Sequence, residues 1–179
     1  GWNLFSFSVN KCFYEGTAPT NQPGCVQLVN VADLGYTSLS AWFSDMMTPN
    51  NAWRIVIGLN GAMDSTLDPL FHSLKYMSPC SAYWVKIEGV SSASLALQGA
   101  LYDPSCAISL LVGWSMVGYP LGTGYYDTAT APSVPGVSTW VQVPEPVAEY
   151  VFASISGKYR IIISSHGAYD PTLPPAFSS

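Results

Sequence analysis

The alternation of apolar and polar positions favours strands over helices along most of the chain. Trp53–Leu59 is a β-branched run ending at Asn60-Gly61, a dipeptide suited to a two-residue hairpin turn, with a return strand expected in Ala62–Leu67. Further strands are expected at Trp2–Val9, Cys25–Val31, Ala82–Glu88, Ser94–Gly99, Ala107–Val112, Trp114–Tyr119, Thr139–Val143 and Tyr159–Ser165. Thr37–Met47 and Pro146–Ile155 each read as a short helix. Fourteen prolines and fifteen glycines interrupt the chain at short intervals, and Gly122–Gly136 reads as a loop. The predicted class is all-β, an antiparallel sandwich or barrel-like form.

The same pattern occurs twice. Residues 53–73, WRIVIGLNGAMDSTLDPLFHS, align without a gap on residues 159–179, YRIIISSHGAYDPTLPPAFSS, with eleven of twenty-one positions identical. The identities include Arg54/Arg160, Gly61/Gly167, Asp64/Asp170 and Thr66/Thr172. Upstream, Gly1-Trp2-Asn3-Leu4 matches Gly113-Trp114-Ser115-Met116, and Leu39–Phe43 fall opposite Val147–Val151, so the two short helices sit at aligned positions. Two related repeats follow, a complete one over 1–112 and a second over 113–179 without a counterpart of Leu74–Val112. Three explanations compete for the missing part. The chain stops early, the 74–112 segment is shared by both copies, or a neighbouring chain donates strands by β-augmentation.

Composition narrows the partners. The 179 residues are only 9% charged but 13% aromatic, and the mean hydropathy is positive. Six Lys+Arg against eleven Asp+Glu give a net charge of −5, which argues against a nucleic-acid partner. The longest apolar stretch, Cys106–Leu121, is broken by Gly113, Ser115, Gly118 and Pro120, so membrane insertion is not expected. A chain this poor in charge must cover apolar surface by self-assembly or present it as a flat aromatic face.

Cys12, Cys25, Cys80 and Cys106 contain no C-x-x-C spacing and read as two disulfides, with Cys12–Cys25 and Cys80–Cys106 preferred and the other pairings open. Such bridges imply an extracellular or cell-surface location. No leader segment is visible in the sequence, which reads as a mature or excised chain.

Catalytic constellations are not apparent, and no enzyme activity, cofactor or metal is expected. His72 and His166 occupy non-equivalent repeat positions, and no G-x-S-x-G elbow occurs. Asp64 and Asp170 are read as turn residues accepting backbone N–H groups, with Arg54 and Arg160 as their ion-pair partners across the hairpin. A calcium loop from Asn60, Asp64 and Asp68 is a weaker reading, because Asp68 becomes Pro174 in the second copy. Among the aromatics, Trp84 alternates onto a face with Lys86 and Glu88 as a platform for sugar stacking, together with Tyr125, Tyr126 and Trp140.

The opening Gly1-Trp2-Asn3-Leu4, the block LKYMSPCSAYWVK at 74–86 and the strand leading into Gly113-Trp114 together resemble tandem β-repeat modules of secreted, multidomain bacterial proteins. In those modules the block usually reads Pro-Gly-x-x-Tyr-Trp. Cys80 stands here in place of the glycine, which implies a disulfide added at the turn. The resemblance covers most of the first copy and the first two-thirds of the second. It implies an extracellular β-module and carries over no catalytic residue. The expected function is therefore structural: a subunit of a fibre, sheath or surface assembly joined to copies of itself or neighbouring repeats through strand edges. The alternative is a carbohydrate-binding module that holds polysaccharide on its aromatic platform.

Overall fold

The computed structural model describes residues 1–6, 9–20, 25–97, 113–116, 123–126, 130–131, 139–143, 147, 151–155, 158–163 and 168–173. Those residues are mostly strands, with the short α-helix Leu39–Met46 in the first of two units, 1–121 and 122–179. The expected strands at Ala107–Val112 and in the later part of Trp114–Tyr119 lie outside the described residues, and residues 113–116 are not in a strand.

In the first unit, β1 (Trp2–Phe5), β5 (Trp53–Gly58), β6 (Gly61–Asp64) and β8 (Tyr83–Ile87) form an antiparallel sheet in the order β1-β8-β5-β6. A second sheet has the order β3-β2-β7, from β2 (Lys11–Tyr14), β3 (Gln27–Asn30) and β7 (Tyr76–Met77). Here β2 and β3 run parallel, a departure from the expected antiparallel pattern. Two-residue strands β4 (Met47–Thr48) and β9 (Ser94–Leu95) pair separately. No sheet closes into a barrel among the described residues.

Helix α1 (Leu39–Met46) links the two sheets through its buried face. Ser38 caps it by accepting from Ala41 N at 3.1 Å, and the Glu15 carboxylate accepts from Leu39 N at 2.5 Å. Trp42 stacks on Phe13 of the second sheet with ring centroids 4.2 Å apart. Phe43 meets Phe5 and Trp53 of the first sheet at 5.9 and 5.5 Å. Leu39, Val56, Met63, Leu74, Met77 and Tyr83 fill the rest of this core. Trp42, Trp53 and Tyr83 are thus core residues.

The hairpin turn falls one residue earlier than expected. Gly58 pairs with Gly61 across Leu59-Asn60. Gly61 is needed at the start of β6 because the backbone of Ser73 and Leu74 passes directly over it. Asn60 instead anchors the turn by donating from Nδ2 to Tyr76 O at 3.1 Å.

In the second unit, β10 (Thr123–Tyr126) runs parallel to β11 (Thr139–Gln142), so part of the expected 122–136 loop is a strand. β12 (Ile162–Ile163) and β13 (Ala168–Tyr169) form an antiparallel hairpin. Val147 and Val151 are helical, and Ala153–Ile155 form a turn of 3-10 helix.

Candidate functional site

Residues directly opposite one another in a sheet share a face, so the strand register defines the outer surface of the four-stranded sheet. Trp2 lies opposite Lys86, and Leu4 opposite Trp84. Trp84 also faces Ile57, Lys86 faces Ile55, and Ala62 and Asp64 face Ile57 and Ile55 in turn. The side turned from the core therefore carries a row of Trp2, Leu4, Trp84, Ile57 and Ile55. Trp2 is 48% and Ile57 38% exposed, whereas Trp84 is half-buried among its neighbours. Lys86 and Glu88 form an ion pair of 2.5 Å beside the row, and the hydrogen bond from Lys86 holds the Glu88 carboxyl below its ordinary value. Trp2 was not among the expected platform residues. Its signal was the alternation Trp2/Leu4 against Asn3/Phe5, hidden by the shortness of the strand.

The two edges of this sheet differ. At β6, Ala62 N donates to Ser73 Oγ, and Ala62 O accepts from Ser73 N and Leu74 N, all at 3.0 Å. That edge is sealed. At β1, Gly1 and Ile87 exchange backbone hydrogen bonds of 2.7 and 2.8 Å. The antiparallel alternation then turns the N–H and C=O of Trp2 and Leu4 away from β8. They have no partner among the described residues. β1 also lacks the lysine, proline or bulge with which edges are commonly blunted.

Asp64 and Asp170 each hold a turn. Asp64 Oδ1 accepts from Thr66 N and Thr66 Oγ1, both at 2.9 Å, and pairs with Arg54. A bulge at Trp53–Ile55 brings Arg54 to this position. Asp170 Oδ1 accepts from Thr172 N and Oγ1 at 2.8 and 2.6 Å, and these bonds, with a smaller contribution from Arg160, hold its carboxyl below the ordinary value. The hairpins share one register: Val56 pairs with Met63 as Ile162 does with Tyr169, and Ile57 with Ala62 as Ile163 does with Ala168. In both, the inner residue of the return strand, Met63 or Tyr169, is buried. Ile163 and Trp114 remain exposed like their counterparts Ile57 and Trp2, and Ile161 is exposed where Ile55 is half-buried.

Tyr126 and Trp140 lie on one face of their parallel pair and meet edge to face at 6.2 Å. Tyr125 is in β10, and its side chain lies outside the described residues. Cys12 and Cys25 form a disulfide with Cα atoms 5.4 Å apart, beside the parallel β2–β3 pair. Cys80 is disulfide-bonded too and has a φ of +66°, a conformation suited to the glycine of the resembling pattern. Cys106 lies outside the described residues.

Asn60, Asp64 and Asp68 each serve local bonds, Asp68 by accepting from Leu70 N at 2.9 Å. No group of three or more His, Cys, Asp or Glu converges among the described residues. Nor is any described helix long and apolar enough to cross a membrane. Comparison with known protein families, curated proteins and solved structures finds no match.

Proposed function

We propose that the chain is a non-catalytic structural module of an extracellular or cell-surface assembly, joined to copies of itself or to neighbouring repeats by strand addition at β1. The carrying observation is the outward-turned backbone of Trp2 and Leu4 on an edge without gatekeepers. The flanking apolar row adds side-chain area to any strand that docks there. The equal registers and Asp-Thr turns of the two hairpins support a common origin as tandem repeats of the resembling kind. The Cys12–Cys25 bridge supports an oxidising location, and a sandwich-like closure of the two sheets over α1 belongs to the same reading.

Leu4→Pro tests the edge, because it deletes an N–H that β8 does not use. Light scattering across a dilution series should show the native chain associating and the variant monomeric, with equal unfolding midpoints. A native chain that stays monomeric at every concentration refutes the proposal.

A carbohydrate-binding role is favoured by one observation: Trp2 and Trp84 are diagonal neighbours on one open face. Sedimentation with insoluble polysaccharide, reduced by Trp84→Ala or Tyr126→Ala, tests it. Equal binding by native and variant chains argues against the platform.

A further inference from the structure

Buried polar side chains are rare in the first unit, and their placement is uneven. Of the four buried polar or charged residues described, Ser38, Ser40 and His72 line a single pocket between α1 and the loops at 50–51 and 65–72. Its volume, about 490 Å³, lies within the range of small-molecule sites. Ser38 and Ser40 hydroxyls pair at 3.0 Å, and Tyr36 OH donates to Asp45 Oδ2 at 2.5 Å. Asn50 and Asn51 complete the lining, with Asn51 in the left-handed conformation at φ 59°. This set offers hydroxyls, amides and one carboxylate.

The lining contains no Lys or Arg, which disfavours an anionic ligand, and its few apolar members do not form a greasy wall. It also contains a single carboxylate, where glycoside hydrolysis needs two. Closely spaced hydroxyls and amides, which both donate and accept, beside an accepting carboxylate match the vicinal hydroxyls of a sugar. We infer that this pocket binds a neutral saccharide, a free mono- or disaccharide or the end of a glycan chain, without cleaving it. The site is separate from the β1 edge and the outer aromatic face.

The test is an NMR titration of the full chain with neutral mono- and disaccharides, and separately with their soluble polymers, up to about 10 mM, enough to register a millimolar Kd. Expected are shifts of the Trp53 indole N–H and the Asn50 and Asn51 side-chain amides, and a Kd weakened at least about tenfold by Asp45→Ala. Asn50→Ala, at an exposed position, is a second variant should the first perturb α1. Val26→Ala, at an exposed position outside the lining, should leave the Kd unchanged. Binding of the free sugar, or of the polymer alone as a chain end, upholds the site. Shifts confined to Trp84 or Tyr126, a Kd indifferent to both pocket variants, or no response to any sugar overturns it.

Discussion

Replacing Gly61 with alanine should be among the most damaging single changes in the first unit. Gly61 has φ +145°, a region closed to ordinary side chains. An added Cβ would lie 2.5 Å from the Ser73 carbonyl carbon and 2.6 Å from both Ser73 O and Leu74 N. These are backbone atoms, so no rotamer change relieves the clash. They are also held in place, since Ser73 N and Leu74 N both donate to Ala62 O and the Leu74 side chain is fully buried. Restoring van der Waals separation requires a shift of roughly 1 Å. Losing the two hydrogen bonds costs about 2 kcal/mol, and the dihedral strain adds about 2. The total, about 4 kcal/mol, is a large part of the 5–15 kcal/mol or so that holds a typical domain folded. Gly89→Ala is the control, because Gly89 has φ +76° with no atom within 4 Å of its added Cβ. It should cost only about 1 kcal/mol. Urea unfolding followed by far-UV circular dichroism and tryptophan fluorescence measures both. If the two variants differ by less than about 1 kcal/mol, the close passage of Ser73–Leu74 is not what demands glycine.

Three further predictions concern the clasp, a histidine and the disulfide. Asp64→Ala should destabilise by about 2 kcal/mol through the loss of both Thr66 bonds and the Arg54 pair, and Asp64→Asn by less than about 1, since it keeps the acceptor; equal midpoints in urea for the two variants would refute the turn role. Burial holds the His72 imidazole below its ordinary value, so the unfolded chain takes up a proton near pH 6.5 that the native chain takes up only at lower pH. The stability this gives is present above that pH and lost as pH falls through the native value; thermal midpoints from about pH 7.5 to 5.5 should fall less steeply in His72→Gln, and parallel slopes would refute the assignment. Cys12→Ser with Cys25→Ser should cost about 3 kcal/mol for a loop of this length, with an unchanged urea midpoint as the contrary result.

Much of the first sheet was legible in the sequence because β5 and β8 are long enough for alternation to show. β5 and β8 combine β-branched and aromatic residues. The Asp-x-Thr turns were legible because their chemistry is local: the carboxylate reaches a donor two residues away. What escaped was set by distant contacts. β2 and β7 are short, and each acquires its strand conformation from a partner far along the chain. Thr123–Tyr126 sits among glycine, threonine and proline, yet pairs with Thr139–Gln142. The turn at Leu59-Asn60 shifted because Gly61 answers to Ser73 and Leu74, not to its neighbours in the hairpin. The outer apolar row needed the register itself, since its members come from three separate strands.

Among the described residues, the sealed β6 edge leaves β1 as the one open edge of the four-stranded sheet, a valency of one. Two such sheets meeting edge to edge about a two-fold axis satisfy each other completely, and growth ends at a dimer. An indefinite filament needs a second, chemically different junction on the same chain, so its links would alternate between two strengths. Dilution would then break a fibre first at its weaker joints and leave paired subunits as the last species before monomer.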